Sequence, residues 1–587
     1  MPENRSPMLS VLDDSQRRVL DAPYEARRMV VAGPGAGKTA TSVALIERIS
    51  NSEAVACDPD ASILYVSFSR AAIQAAVDAF GGELSGLEVS VAAMTLDSLA
   101  WQLTGAGSEV NGPSVRDFDR IVRQAEAQLR SEYAGELDDV VHLIVDEAQD
   151  LSLERRNLLC AIIDQLPEGA GITVFGDPLQ AIYEFLDESR TEGRSAWAEL
   201  EDELRTRGIG EVLTLNGSYR ARRRGPKKVM ATARELRTLS EVERLDRLDE
   251  LASDLTHLQV EEFAVMASDW SGTTAVLSRT NAESLRLFHE LSSGGLNCSM
   301  RQQRRSRAVV ASWIAKLWAA SGGAPVTMAG FSDFSNRHDD VDPGWFRLLL
   351  HASNAGSEIS WHAIARLCGS AFEPTQPWFD HQSVGVVVST IHQAKGLEWE
   401  NVAVVDARGL LRPVGRRQPE SELLFVGLTR ARDKVVIVDW EAPFTKSLRG
   451  SGLTYRPHPV FGKPIEVAIT PGDLRSDARF GEDVGQEALM QADPVAQINF
   501  ELLASGRADW PTYRCLLDDV AVGVTTKEFG RSLASLYRTR PSAGWPNLGS
   551  VAIEGIESRW SVEDGVQFWL KPRPFGFAQV VDQGSIQ

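Results

Sequence analysis

The segment Val30-Val31-Ala32-Gly33-Pro34-Gly35-Ala36-Gly37-Lys38-Thr39 holds residue types suited to gripping phosphate. A β-branched run feeds a glycine-rich loop, and Lys38-Thr39 then opens an apolar helical pattern through Ile49. Glycines let backbone N–H groups close around phosphate oxygens, and the following helix adds its N-terminal dipole. Lys38 is placed to reach the β- and γ-phosphates and Thr39 to hold Mg²⁺, while Ala32, Gly33, Gly35 and Gly37 form the cradle. The motif's usual first glycine is Ala32 here. Downstream, His142-Leu143-Ile144-Val145-Asp146-Glu147-Ala148-Gln149-Asp150 ends an apolar strand in adjacent carboxylates. Asp146 suits Mg²⁺ and Glu147 suits the attacking water. The pair of motifs predicts ATP hydrolysis, with ATP and Mg²⁺ as substrate and metal.

These motifs need a scaffold, and the chain supplies alternating elements. Candidate strands cover 28–32, 63–68, 89–94, 141–146 and 172–176, with helical patterns between them, as at 71–80 and 153–165. Such alternation predicts a parallel sheet covered on both faces. The pattern restarts at 275–279 and returns at 384–389, 402–406 and 434–438. Ligands of such sheets bind at the carboxyl ends of strands, where both opening motifs lie.

Bulk properties narrow the class. A chain of 587 residues exceeds one core, so several domains are expected. Hydrophobic content of 43% and charged content of 24% suit a globular protein. No apolar run approaches the roughly 20 residues that span a bilayer. Met1 to Ser15 lacks an apolar signal core, and the five cysteines are scattered and never paired as C-x-x-C. These features predict reduced thiols, no zinc or iron–sulfur site, no membrane partner and a cytoplasmic location. A net charge of −20 does not advertise a nucleic-acid binder, although basic residues cluster at 220–228 and 301–307. The charge pattern fits a solvated helix face as well as a phosphate track.

Four further segments fall into order: Val174-Phe175-Gly176-Asp177-Pro178-Leu179-Gln180-Ala181-Ile182-Tyr183, Leu215-Asn216-Gly217-Ser218-Tyr219-Arg220, Ser389-Thr390-Ile391-His392-Gln393-Ala394-Lys395-Gly396-Leu397-Glu398-Trp399 and Phe425-Val426-Gly427-Leu428-Thr429-Arg430-Ala431-Arg432. With them the sequence resembles the UvrD/Rep/PcrA family of superfamily 1 helicases. The resemblance implies an α/β protein with two RecA-like P-loop NTPase domains. The first would span 1–95 and 141–215, and the second 216–321 and 383–442. Small helical insertions would lie at 96–140 and 322–382. Residues 443–587 fall outside the resemblance. Their turn punctuation and short strands, with Asp518-Asp519 as a hairpin turn, predict a mixed α/β or β-rich accessory domain.

Roles follow from the resemblance residue by residue. Arg220 and Arg430 would neutralise charge on the transferring phosphoryl, a task that suits a permanently charged guanidinium. Gln180 matches the γ-phosphate sensor, Gln16 the adenine reader, Tyr219 the base-stacking aromatic and Glu398 a carboxylate near the sugar. Ser67 and Phe68 look like the strand-gripping loop, Phe185 sits where the family has a base-stacking Trp, and Thr390 and His392 match its backbone-contacting motif. Asp97 replaces the family's usual His, and Ala40 replaces an Arg that packs over adenine. Both insertions are much shorter than in full-size relatives, where they contact duplex and regulate unwinding.

The implied function is an ATP-dependent DNA helicase/translocase that moves on single-stranded DNA, 3′ to 5′, with single-stranded DNA or tailed duplex as its partner. The alternative is a DNA-stimulated ATPase switch that docks a protein partner, such as a nuclease in antiviral defence, through the tail or insertions. No paired acidic–lysine cluster in the tail resembles a nuclease core.

Overall fold

The computed structural model describes residues 12–582 apart from 69–71, 74–75, 78–88, 106–114, 132–134, 183–194, 302–308, 354, 371–377, 380–384, 414–419, 449, 451, 461, 476–482, 494–495, 504–509, 538–543 and 564. The chain forms two compact units, Met1–His257 with Ala394–Ile437, and Leu258–Gln393 with Val438–Gln587.

The first unit is built on a six-stranded sheet of β1 (Arg27–Ala32), β2 (Ser62–Ser67), β3 (Ser90–Thr95), β4 (Val140–Asp146), β5 (Gly171–Gly176) and β6 (Glu211–Leu215). Its order is β3-β2-β4-β5-β1-β6, and every pairing is parallel. The central strands are apolar at nearly every position because both faces are covered. Side chains still alternate. Leu143 and Val145 of β4 pack into one core and Ile144 into the other; Met29 of β1 joins the first, and Val30 and Ala32 join the second. Helix α1 (Asp14–Asp21) opens on Asp13, whose carboxylate caps it. Helix α2 (Lys38–Ser50) buries Val43, Ala44 and Ile46 on one side of the sheet. Helix Leu153–Gln165 covers the other side with Leu158, Leu159 and Ile162.

Segment 96–140, expected to be helical, carries Leu96–Leu103 and Val115–Ser131. Ile121, Val122, Ala125 and Leu129 of the second helix enter the same core as the sheet. The five strands expected for this sheet match the observed ones to within about one residue, inside the usual uncertainty of element ends, and Glu211–Leu215 adds a sixth beyond them.

In the second unit, Val386–Thr390 pairs in parallel with Thr274–Ser278 and Cys298–Met300. The segment expected as a helical insertion contains Met328–Ser335, Trp345–Ala352 and Trp361–Ser370, with a short ladder between Val326–Thr327 and Glu358–Ile359. These helices are too short to bury their own apolar faces. Phe331, Phe346 and Trp361, with Trp313 of the preceding helix Ser312–Ser321, instead share one core with Val467, Tyr513, Phe529 and Phe568 of the C-terminal region.

That region is a mixed α/β body around the long strand Asn547–Ser561, which pairs antiparallel with Gln497–Leu502, Gln567–Pro574 and Gly576–Val581. The predicted hairpin joins Tyr513–Leu517 to Val520–Val524. Asp518 and Asp519 both take positive φ, at 47° and 64°, as a two-residue turn of matching twist requires. All five cysteines are free thiols. Among the described residues no helix is long and apolar enough to cross a membrane.

Candidate active site

The carboxyl ends of the first unit's strands gather the predicted chemistry. β1 runs out at Ala32, and Gly33 to Gly37 turn the chain into α2 at Lys38. Gly35 and Gly37 hold φ of 68° and 85°, a region that side-chain-bearing residues avoid. No side chain caps α2, so its first N–H groups are left to face an anion. Thr39 lies half-buried in the first turn of α2.

Lys38 Nζ lies 2.6 Å from Oε1 of Glu147, at the end of β4. Burial pulls the ammonium down, but Glu147 and Asp146 more than offset it and raise Lys38. Against its own burial, Glu147 is held down at about 2 by Lys38 and Lys395. Burial pushes Asp146 up, opposed by Lys38 and reinforced by Glu147. Asp146 is fixed by the Tyr65 hydroxyl, 2.8 Å from Oδ2, and by the Glu147 N–H, 2.9 Å from Oδ1. Glu147 itself sits at φ 53°, a strained conformation for a side-chain-bearing residue and one that aims its carboxylate.

A chain of hydrogen bonds leads from this pair to the arginines. Gln149 Nε2 donates to Glu147 Oε2 at 2.6 Å, and Gln149 Oε1 accepts the Asp177 N–H at 3.1 Å. Gln180 Nε2 donates to Asp177 Oδ2 at 2.8 Å. Arg430 Nη2 donates to Gln180 Oε1 at 3.0 Å. Arg430 is also held by the carbonyl of Val426 at 2.9 Å and the hydroxyl of Thr429 at 3.1 Å. Burial, with Arg220 nearby, lowers Arg430 to about 9, and burial lowers Arg220 to about 10. Arg220 donates to the Thr429 carbonyl at 3.1 Å and pairs with Glu398, which also takes Arg432. Glu398, expected near the sugar, therefore anchors two arginines.

Gln16 and Tyr219 meet beside Gly37. Tyr219 is 53% exposed and donates its hydroxyl to Asp13 Oδ2 at 2.7 Å. Its N–H bonds the Gly35 carbonyl at 2.8 Å. Gln16 is buried, with Nε2 3.1 Å from Thr41 Oγ1.

The predicted strand track is divided. Ser67 is buried at the end of β2, in register with Asp146 and Thr95. Phe68 follows it, half-buried, with the Arg155 guanidinium 5.7 Å from its ring centre. Arg155 forks onto Asp97 at 2.8 and 3.0 Å, which occupies that non-standard carboxylate. Thr390 and His392 lie in the second unit, where Thr390 Oγ1 accepts the Gln393 N–H at 3.2 Å. Phe185 lies outside the described residues.

Other residues of the site carried no role in the sequence reading. Gln149, Asp150, Asp177 and Lys395 stood inside the quoted motifs, and only contacts reveal what they hold. Lys395 pairs with buried Asp150 at 2.6 Å. Burial, against that lysine, raises Asp150 to about 6. Arg237 gave no sequence signal. Its guanidinium lies 3.2 Å from Oδ1 of Asp177, and a Cβ on Gly33 would lie 2.6 Å from its Nη2.

Residues 16–186 match the AAA domain family, and residues 385–438 match the UvrD-like helicase C-terminal domain family. No curated protein matches the sequence significantly. Among solved structures, Bacteroides Pif1 bound to ssDNA aligns at 14% identity and TM-score 0.33, covering 73% of this chain and 92% of that one. Pif1 helicase from Candida albicans aligns at 14% and 0.34, covering 73% and 95%. A structure describing DNA unwinding at forked dsDNA by two coordinating Pif1 helicases aligns at 13% and 0.34, covering 73% and 92%. The P-loop domain makes the chain an ATP-hydrolysing enzyme. Its α/β core, the order of its motifs and the two domain matches give it a superfamily 1 DNA helicase-like architecture, with a P-loop ATPase domain and a UvrD-type C-terminal domain.

Proposed function

We propose that the chain is an ATP-driven translocase of the UvrD-like type that moves on single-stranded DNA, 3′ to 5′. One observation carries the ATP-driven part of this reading, while the DNA track and its polarity follow the motif resemblance: the hydrogen-bonded path Lys38–Glu147–Gln149–Asp177–Gln180–Arg430, which joins the phosphate loop to a buried arginine through a polar side-chain sensor. A site that only bound nucleotide would not need an arginine poised behind that sensor. Glu147 would orient the attacking water, and Arg430 and Arg220 would stabilise charge developing on the γ-phosphoryl oxygens.

The residues present suit Mg²⁺. Asp146 offers one buried carboxylate and Thr39 a hydroxyl in the first turn of α2, the donor set expected when one carboxylate and substrate phosphates share the ion. Thr39 and Asp146 would hold it, and the ion would neutralise phosphate charge. Tyr65 keeps the Asp146 carboxylate oriented for that task.

The test is hydrolysis of ATP with and without single-stranded DNA, beside strand displacement on 3′- and 5′-tailed duplexes. DNA should stimulate hydrolysis, and only the 3′-tailed duplex should open. Stimulated hydrolysis with no displacement on either tail would instead favour a switch that signals to a protein partner.

A further inference from the structure

A cation in the first turn of a helix faces the positive end of the helix dipole and is disfavoured there. Arg155 holds such a position in helix Leu153–Gln165, and two carboxylates offset it. Its Nε and Nη2 fork onto Asp97 at 2.8 and 3.0 Å. Its Nη1 donates to Asp119 Oδ1 at 3.2 Å and to Ser152 Oγ at 3.1 Å. Asp97 lies in the first turn of helix Leu96–Leu103, and Asp119 stands in helix Val115–Ser131. Each helix of the segment 96–140 thus gives one carboxylate to the same guanidinium, and most of the arginine's N–H donors are spent on this clamp.

The clamped guanidinium rests over the ring of Phe68, 5.7 Å from its centre, inside the range of a cation–π contact. Sheet register explains the meeting. β2 ends at Ser67, in register with Thr95, where β3 ends and helix Leu96–Leu103 begins. Phe68 and Asp97 therefore leave neighbouring strand ends. The ring also packs against the core that both insertion helices share with helix Leu153–Gln165. The guanidinium is the most buried member of the charged cluster, with the carboxylates more exposed. A ring held between a packed core and a fixed cation has little freedom left to lose when a base stacks on it. Preorganisation of this kind strengthens binding by lowering the ordering cost.

We propose that Arg155 is a positioning residue for single-strand binding: Asp97 and Asp119 of the first insertion hold it against Phe68 and set the ring for base stacking before DNA arrives. This role rests on the translocase reading of the chain. It is tested on the full chain by DNA-stimulated ATP hydrolysis, titrated with oligo-dT at several salt concentrations. Arg155→Ala should raise the oligo-dT concentration for half-maximal stimulation by about five- to tenfold, part of the cost of a lost base stack. The DNA-free rate and the KM for ATP should stay at their wild-type values. The salt slope should also stay, because the guanidinium meets a ring and not a phosphate. Arg155→Lys, which keeps a cation but cannot fork onto Asp97, should fall between Arg155→Ala and wild type. In a Phe68→Ala background, Arg155→Ala should add nothing. An unchanged half-maximal concentration, a salt slope shallower by about one unit, or additive effects in that cycle would overturn the proposal. A parallel fall in DNA-free hydrolysis would overturn it too, by reducing Arg155 to a structural residue. If Arg155→Ala does not fold, Arg155→Lys decides by the same readouts. Wild-type hydrolysis that ignores oligo-dT would instead strike the translocase reading, and the positioning role with it.

Discussion

Lys38 Nζ stands 2.6 Å from Glu147 Oε1, so the phosphate-binding cation and the water-orienting carboxylate neutralise each other within the folded site. A γ-phosphate bound between them would compete for the lysine and release the carboxylate toward water. Lys38→Ala should therefore abolish turnover and weaken ATP binding, since it removes phosphate charge and leaves Glu147 buried without its partner. Glu147→Gln should abolish turnover yet keep ATP affinity, because a neutral amide no longer holds the lysine away from phosphate. Wild-type-like turnover in Glu147→Gln would remove its role as the base.

Arg430 and Arg220 differ in what holds them. Arg430 is buried with carbonyl, hydroxyl and amide partners, whereas Arg220 is tied to the carboxylate of Glu398. A buried guanidinium without a paired carboxylate is costly and suits a site that awaits an anion. Arg430→Ala and Arg220→Ala should each slow hydrolysis by about 10³–10⁵, the range for a lost arginine finger, with modest loss of ATP binding. Rates measured at saturating ATP within tenfold of wild type for both would make these residues structural.

Much of this site was legible because its residues sit in short local motifs at strand ends. A phosphate loop is a contiguous backbone shape, so Ala32 to Thr39 announce it without tertiary information. The Asp518-Asp519 hairpin was legible for the same reason, since turn chemistry is local. Arg237 was not legible. It reaches Asp177 from 60 residues away, at the end of a helix whose pattern reports only its buried face. Nor could a sequence pattern tell that the helices between Met328 and Ser370 bury their aromatic residues against the C-terminal strands. Apolar periodicity says that a face is covered and leaves open by what.

His142 gives a pH dependence whose sign is fixed by geometry. Its Nδ1 lies 2.7 Å from the Tyr24 carbonyl, which can only accept, so Nδ1 carries the proton and Nε2 accepts from Thr173 Oγ1 at 3.0 Å. Burial, against the Tyr24 bond and with Arg28 adding to it, depresses the imidazole from 6.5 to about 3. The unfolded chain thus binds a proton that the folded one refuses. The stabilisation is complete above 6.5 and is lost as pH falls toward the folded value. Stability should drop by about 1.4 kcal/mol for each pH unit in that window from this group alone. His142→Asn, measured by denaturant unfolding from pH 7 to 4, should show a correspondingly shallower slope. An unchanged slope would mean that His142 titrates alike in both states.

Asp177 and Arg237 form the last testable pair. Asp177 is fully buried, and its carboxylate has three partners: Oδ2 accepts from Gln180, and Oδ1 accepts from the Leu179 N–H at 3.3 Å and from Arg237 at 3.2 and 3.3 Å. Arg237 acts by fixing the carboxylate that fixes the sensor. Removing one partner of a buried pair strands the other charge and costs about 3–5 kcal/mol, whereas removing both costs much less. Arg237→Ala should therefore destabilise the fold and lower kcat more than it raises KM for ATP, because Gln180 loses its orientation while the phosphate loop loses only its packing against Arg237. Arg237→Lys should recover part of kcat by keeping the charge. In the Asp177→Asn background, Arg237→Ala should have almost no further effect on either stability or kcat, a coupling that a double-mutant cycle reads directly. Strictly additive effects in that cycle would show that the two residues act independently, and Arg237 would then be an ordinary surface cation beside the site.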